Sequence, residues 1–222
     1  MSRIVVFGAG GRAGRAVTAE ARERGYRVTA VVRDTDRHAD LVSPGVVLRS
    51  GDVRDAETVY DNADGHDAVV CAVTPASGPE EFANLDRFDQ AYFVDVVDAL
   101  LTGMTRAGVP RLVFVGLFAN LLDGRGRPVY DNPDVFPPEL RPYALAHTAG
   151  LDRLRAARTG VDWLVLTPPA LLDPTGPRTG RYRFGGETAA GPATLSYADL
   201  AVAVLDEIGS PTRHRTRVSV HD

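Results

Sequence analysis

The chain has 222 residues, 44% hydrophobic and 24% charged, which is an ordinary composition for one globular α/β domain. The formal net charge of −4 disfavours nucleic-acid or anionic-membrane binding by bulk electrostatics. Cys71 is the only cysteine, which excludes an intrachain disulfide and disfavours a cysteine-based metal site. All 25 residues of the Lys+Arg count are arginines, so lysine Schiff-base chemistry is excluded as well.

The N-terminal stretch predicts a nucleotide-binding turn, because a short apolar run is followed by four glycines in seven residues and then by good helix formers. Gly8, Gly10 and Ala13 fit the spacing G-x-G-x-x-G/A. Gly8, Gly11 and Gly14 fit G-x-x-G-x-x-G. Glycines at these places let the backbone approach a pyrophosphate, and the helix that follows supplies free N–H groups.

Strand and helix patterns alternate along the rest of the chain. Helices are predicted over 12–24, up to about 62, from about 93 to about 107, over 142–158 and over 197–208, with a weak one before 42. Strands are predicted over 4–7, 26–32, 46–49, 68–73, 111–115, 162–166 and 215–220. This order favours a single Rossmann-type α/β domain over residues 1–222, built on a doubly wound parallel sheet. Residues 167–195 are a possible small C-terminal cap on the substrate side.

Two stretches outside these elements are predicted to be loops. Residues 74–79 carry turn residues throughout, and residues 116–141 form a connection long enough to suggest a functional role. Aromatic side chains in the long connections are candidates to line a pocket for a planar substrate: Phe118, Tyr130, Phe136, Tyr182 and Phe184. Ser196 is a good N-cap for the last helix, with Asp199 placed to complete a capping box.

Several motifs together carry a family resemblance that covers almost the whole chain. They are Gly8-x-x-Gly11-x-x-Gly14, Gly51-Asp52-Val53, Leu112-Val113-Phe114-Val115-Gly116, Asp162-Trp163, Thr167-Pro168-Pro169, Thr179-Gly180-x-Tyr182 and Leu195-Ser196-x-x-Asp199-Leu200-Ala201. The chain resembles atypical short-chain dehydrogenases, and it is most similar to their NAD(P)H-binding, NmrA-like group, which includes flavin-reductase-type proteins. That group also contains redox-sensing regulators, so the resemblance implies the fold more directly than the activity.

The resemblance implies a Ser-Tyr-Lys proton relay, and the sequence departs from it. The nearest spacing is Tyr143-x-x-x-His147, whose two side chains share one helix face. A histidine carries a full charge only when protonated, so it activates a tyrosine less reliably than lysine does. Asn120 lies where the serine is expected, and an amide can polarise a carbonyl without relaying a proton in the same way. Tyr143, His147 and Asn120 are therefore the candidate catalytic residues.

The residue that ends the second strand indicates which cofactor binds. Arg33 lies there, and a guanidinium suits the 2′-phosphate of NADP, to which Arg12 in the glycine loop adds a second charge. Asp34 keeps NAD open, since a shift of one residue would bring a carboxylate to the ribose. By resemblance, Asp52 and Val53 flank the adenine.

Other cofactor contacts are expected at the ends of two further strands. Cys71, Ala72 and Val73 end the fourth strand beside the cofactor, with Cys71 as a small apolar core residue. By analogy, Pro168 and Pro169 lie near the nicotinamide.

These observations favour an NADP-dependent oxidoreductase acting on a small planar or carbonyl-bearing acceptor such as a quinone, a flavin or a ketone. The missing lysine and serine keep open a regulator that binds the dinucleotide without turnover, or an isomerase or cyclase with a structural cofactor. An enzyme is expected to close residues 116–141 over the nicotinamide, and a sensor to expose a large apolar patch. No metal site, nucleic acid or membrane is expected, and the protein is expected to be a cytoplasmic monomer or homodimer that binds a small-molecule substrate.

Overall fold

The computed structural model describes residues 2–75 and 88–222. Its strands are β1 (Arg3–Phe7), β2 (Arg27–Val32), β3 (Val46–Ser50), β4 (Ala68–Cys71), β5 (Arg111–Val115), β6 (Asp162–Thr167), β7 (Leu171–Asp173), β8 (Arg183–Phe184), β9 (Thr194–Ser196) and β10 (Thr216–His221). Its α-helices are α1 (Arg12–Glu23), α2 (Ala56–Ala63), α3 (Tyr92–Ala107), α4 (Arg141–Ala156) and α5 (Tyr197–Gly209).

The eight-stranded central sheet has the order β3-β2-β1-β4-β5-β6-β10-β8. Every neighbouring pair is parallel except β10 and β8, which meet antiparallel at one edge. From β1 the chain first adds β2 and β3 on one side and then adds β4 to β6 on the other. The reversal falls between β1 and β4, which is where ligands bind in open sheets of this kind.

The sheet carries helices on both faces, as predicted. In β1, Val5 and Phe7 belong to one buried cluster, which also contains residues of α2, α3 and α4. Ile4 and Val6 point the other way, into a second cluster with residues of α1 and α5. Because alternate side chains of a strand face opposite sides, one apolar strand supplies both cores. The expected Rossmann-type doubly wound sheet is confirmed.

Element boundaries differ from the predictions in two places that matter for the site. The fourth strand ends at Cys71, so Ala72 and Val73 already belong to the loop at the carboxyl edge. The long connection 116–141 is folded locally, with short 3₁₀ helices at Phe118–Asn120, Val129–Asp131 and Pro138–Leu140. Of the loop predicted over 74–79, residues 76–79 lie outside the described part of the chain.

The predicted capping box is only half present. Ser196 Oγ accepts a hydrogen bond from the N–H of Asp199 at 2.9 Å, as an N-cap does. The Asp199 carboxylate turns instead to the segment before β8, where it accepts from the N–H of Thr179 at 2.9 Å and of Gly180 at 2.7 Å. Asp199 therefore fastens the 167–195 segment to the start of α5.

Candidate functional site

The backbone around the glycine loop between β1 and α1 is packed so closely that two of its glycines have no room for a side chain. Gly8 has a φ of +79°, and a Cβ there would lie 2.5 Å from the carbonyl oxygen of Ala72. A Cβ on Gly14 would collide with the backbone of Gly8, so Gly14 permits the close approach of helix and strand. At Gly11 the nearest atom to a Cβ is 3.5 Å away, and this residue is the N-cap of α1 with no side-chain cap. The first N–H groups of α1 therefore have no intrahelical carbonyl to bind.

Gly10 is required by a histidine that the sequence reasoning did not place. A Cβ on Gly10 would overlap the imidazole ring of His38, which lies in the 3₁₀ helix Asp36–Leu41 after β2. Arg15 of α1 holds this arrangement, with its Nε donating to the Gly10 carbonyl at 3.0 Å and its Nη2 contacting His38 Nδ1 at 3.1 Å. Since a guanidinium only donates, this contact assigns the acceptor role to Nδ1 and places the ring N–H on Nε2.

A cleft of about 180 Å³ opens above this loop at the switch point of the sheet. Eight of the predicted cofactor residues line it: Gly8, Gly10, Gly11, Arg33, Asp52, Val53, Ala72 and Val73. Six others do not: Arg12, Ala13, Gly14, Cys71, Pro168 and Pro169. Strand ends and glycine backbone thus form the floor of a cleft next to the N-terminal end of α1, which is where the pyrophosphate of a dinucleotide binds in folds of this kind.

The two charged residues after β2 have different surroundings. Arg33 lines the cleft, and within the described part of the chain its guanidinium makes no hydrogen bond or salt bridge. Asp34 does not line the cleft; its carboxylate accepts from the N–H of Asp36 at 3.1 Å and pairs with Arg37 at 3.3 Å.

The cleft wall around Asp52 is formed by a charge pair and an aromatic ring. Arg54 binds Asp52 with Nη2 at 2.9 Å, and these hydrogen bonds hold the pKa of the Asp52 carboxyl below its usual value. The Arg54 guanidinium also lies 5.3 Å from the ring centre of Tyr92, which lines the cleft. Burial raises the pKa of Tyr92 to about 12, so its hydroxyl stays protonated at neutral pH.

A hydrogen bond to a threonine links Tyr143 to the cleft. Its hydroxyl lies 2.9 Å from Oγ1 of Thr74, a residue of the cleft lining just beyond β4. Burial raises the pKa of the Tyr143 phenol, and the Thr74 hydrogen bond offsets this only in part. Tyr143 is therefore a neutral phenol at physiological pH, able to donate a proton and unable to act as a base.

His147 and Asn120 take no part in that hydrogen bond, although the His147 ring contacts the Tyr143 ring with centres 4.9 Å apart. The His147 ring packs against Phe93, with ring centres 3.6 Å apart, and burial lowers its pKa to about 3. A neutral imidazole cannot replace the lysine ammonium of the dehydrogenase relay. The Asn120 amide nitrogen donates to the Ala144 carbonyl at 2.7 Å, so this side chain supports the start of α4.

Two further predicted residues have clear surroundings. Cys71 is fully buried, and burial raises the pKa of its thiol to about 12, so it packs as an apolar residue as expected. Pro169 lines a second, largely apolar pocket of about 400 Å³ together with Phe118, Leu121, Val129 and residues 189–192. We call it the apolar pocket; its walls are the connection 116–141, the segment after β6 and the end of β10.

The other aromatic residues proposed for a substrate pocket are structural. Phe136 is buried against Phe118, and the Tyr182 hydroxyl donates to Asp206 at 2.7 Å beside Phe184. Tyr130 is stacked by Arg141. Sequence reasoning did not assign seven residues of the cleft wall to the cofactor site, namely Phe7, Val31, Val32, His38, Gly51, Thr74 and Tyr92. Of these residues, Thr74 could have been found from the sequence, because it directly follows the strand predicted over 68–73.

Within residues 2–75 and 88–222, no cluster of histidine, cysteine, aspartate and glutamate side chains could hold a metal ion. Asp86, Asp89 and Asp95 recur at helical spacing in the sequence but have no nearby histidine pair, and Asp86 lies outside the described residues. None of the helices described here combines the length and hydropathy that crossing a bilayer requires.

A parallel doubly wound sheet with a glycine-lined cleft at its switch point defines a dinucleotide-binding protein of the Rossmann class. A model of the NAD(P)H-binding family matches residues 8–211. The chain belongs to this family, which confirms the NAD(P)H-binding group that its motifs resemble.

Individual relatives match over nearly their full length. An uncharacterised protein of Bacillus subtilis, YwnB, is 32% identical over 98% of this chain and 97% of its own. A solved structure of a proposed NADH-flavin reductase from Streptococcus pneumoniae is 28% identical, with a TM-score of 0.79 and full coverage of both chains. A Burkholderia pseudomallei protein described as exported is 30% identical, with a TM-score of 0.81 and full coverage of both.

Proposed function

We propose that the protein is an NADPH-dependent oxidoreductase that reduces a planar, largely apolar acceptor such as a quinone or a flavin. The observation that carries the proposal is the placement of two cavities on one edge of the sheet. The cofactor cleft lies at the carboxyl ends of β1, β2 and β4, and the apolar pocket lies beyond β6 and at the end of β10. Parallel strands bring these ends to the same edge, so cofactor and acceptor can meet there.

Two side chains support NADP over NAD. Arg33 offers an unpaired guanidinium in the cleft, and His38 lines the same wall with a donor on Nε2. A 2′-phosphate accepts hydrogen bonds from both, whereas the carboxylate that would accept from a 2′-hydroxyl, Asp34, is bound to Asp36 and Arg37. Arg12, expected to add a second charge, does not line the cleft, so His38 takes its place in the proposal.

A bound reduced nicotinamide supplies the hydride. The chain's own residues bind the dinucleotide, shield the acceptor in the apolar pocket and hold a protonated phenol at Tyr143, hydrogen-bonded to Thr74. No cation in the described part of the chain lowers the pKa of Tyr143, so this phenol is a weak proton donor. Quinones and flavins need little proton assistance from the protein, and they suit this site better than simple ketones do. The proposed name of the Streptococcus pneumoniae relative, an NADH-flavin reductase, agrees with such an acceptor.

The decisive experiment combines binding and turnover. Cofactor affinity is measured by fluorescence titration, and NADPH oxidation is followed against panels of quinones, flavins and ketones. We expect turnover with the planar acceptors. Tight NADPH binding with no turnover on any panel would instead support the dinucleotide-binding regulator, which the neutral His147 also favours.

A variant of the apolar pocket tests where the acceptor binds. Ala190 is an exposed residue of its wall, so Ala190→Trp narrows the pocket without touching the cofactor cleft. The KM for the acceptor is expected to rise at least several-fold while the Kd for NADPH stays unchanged. A cytoplasmic location is part of the same proposal, and cell fractionation tests it.

A further inference from the structure

A second, much smaller cavity lies behind the site, between the sheet and helices α3 and α4. Its volume is about 20 Å³, and most of its wall is apolar, including Phe93, Val97, Leu151 and Leu154. Four polar residues complete the wall: Asn120, His147, Thr167 and Arg217. They come from four separate parts of the chain, namely the connection after β5, helix α4, the end of β6 and strand β10.

Each of these four residues has a buried polar atom with no hydrogen-bond partner in the part of the chain that the structure describes. The atoms are Asn120 Oδ1, His147 Nε2, Thr167 Oγ1 and Arg217 Nε. Only two other buried side-chain atoms there share this condition, on Thr18 and Asn62, and neither residue lines the cavity. An unsatisfied buried polar group costs about 1–3 kcal/mol, and four around one small cavity point to a shared ligand.

The hydrogen bonds already made fix what this ligand must offer. The Asn120 amide nitrogen donates to the Ala144 carbonyl, so the amide orientation is set and Oδ1 needs a donor. The two Nη atoms of Arg217 donate to the Asn120 carbonyl at 2.7 Å and to Glu187 at 3.0 Å, which leaves the Nε–H in need of an acceptor. The ligand must therefore donate and accept at once.

We propose that this cavity is a binding site for one internal water molecule shared by Asn120, Thr167, Arg217 and His147. A cavity of about 20 Å³ holds one water by the usual volume requirement, and a buried water typically makes about three hydrogen bonds. A halide would satisfy Arg217 but would face the Asn120 oxygen without a proton to give it. The water ties the connection 116–141 to β6, β10 and α4, directly beneath the residues of the candidate site.

A matched pair of variants tests the proposal in solution. Thr167→Val removes a hydroxyl that the water binds, whereas Thr18→Val removes an equally buried, unpartnered hydroxyl on α1 far from the cavity. We expect Thr167→Val to lower the Tm by about 2–4 °C, the shift that the loss of about 1 kcal/mol causes in a chain of this size. Thr18→Val is expected to leave the Tm unchanged or to raise it. The same change in Tm for both substitutions would overturn the proposal.

Crystallography provides the second test and applies even where Thr167→Val fails to fold. At a resolution near 1.5 Å, wild-type crystals are expected to show one water within hydrogen-bond distance of Thr167 Oγ1 and Asn120 Oδ1. Crystals soaked in sodium bromide are expected to show no anomalous peak in the cavity. A dry cavity refutes the proposal, and a bromide peak there refutes it in favour of an anion site.

Discussion

The replacement Arg33→Ala isolates the contact that is proposed to select NADPH. Arg33 is exposed, follows the buried end of β2 and lines the cofactor cleft without another partner among the described residues. The substitution therefore removes a cation without disturbing the core or breaking an ion pair. Its effect on stability is expected to be small, which leaves cofactor affinity as the informative measurement.

The size of the effect follows from the chemistry of the lost contact. A hydrogen bond to a charged group contributes about 1.5–3 kcal/mol, so the loss of one guanidinium–phosphate contact raises the Kd for NADPH by about 10- to 150-fold. NADH has no 2′-phosphate, and its Kd is expected to change by less than about threefold. The NADPH effect is also expected to shrink at high salt, since the contact lies at an exposed rim.

Fluorescence titration of both cofactors against wild type and variant measures these changes. Arg181→Ala is the matched control, because Arg181 is exposed, lies outside the cleft lining and makes no side-chain hydrogen bond or salt bridge with the described residues. The control removes the same charge and is expected to leave the preference for NADPH unchanged. Equal losses of NADPH and NADH affinity in Arg33→Ala would refute the assignment of Arg33 to the 2′-phosphate.

Three further predictions concern the proton donor, acid stability and the glycine loop. Tyr143→Phe is expected to slow ketone reduction tenfold or more and quinone reduction little; equal effects on the two acceptors in steady-state assays would remove Tyr143 as the acid. His147 has a pKa of about 3 in the folded protein, compared with 6.5 for an unperturbed histidine in the unfolded chain. Between these two values only the unfolded chain binds the extra proton. The free energy of unfolding therefore decreases as the pH falls from 6.5 towards 3, by up to about 1.4 kcal/mol per pH unit. In urea unfolding experiments, the free energy of unfolding of His147→Gln is therefore expected to decrease less between pH 6.5 and 4 than that of the wild type. The same pH dependence for variant and wild type would contradict the burial of a neutral ring. Gly14→Ala is expected to lower the Tm by about 3–10 °C through overpacking against Gly8, whereas Gly11→Ala leaves the Tm nearly unchanged; similar Tm values for both would contradict the loop geometry.

The fold was largely predictable because local and global signals agree along this chain. Apolar runs bounded by glycine and proline predicted nearly every strand of the central sheet. Gly25 and Gly108, both with positive φ, follow the ends of α1 and α3, where glycine is the usual residue. The capping box failed for a tertiary reason. The Asp199 carboxylate accepts hydrogen bonds from the backbone N–H groups of Thr179 and Gly180 instead. A single sequence does not show which residue, about 20 positions away, a side chain will bind.

The candidate site was predictable where it is made of backbone and less so where it is made of side chains. The glycine loop follows from spacing, because strand, turn and helix leave little freedom there. His38 was missed because the 3₁₀ helix that returns it to Gly10 leaves no periodic signal in the sequence. The shared helix face of Tyr143 and His147 was predictable, but not that Phe93 of α3 covers one ring and Thr74 binds the other.

The surroundings of His147 explain why a proton relay cannot be completed at this position. A lysine would need its ammonium in water or beside the cofactor, whereas this side chain stacks on Phe93 and lines a small cavity behind the cleft. Burial keeps the imidazole neutral, and the same burial raises the pKa of Tyr143 one turn earlier. Both changes weaken acid–base chemistry while fixing the two rings in place. Under the proposed function, activity rests on holding a reduced cofactor against an acceptor that is already easy to reduce, which is the physical reason to test quinones and flavins before ketones.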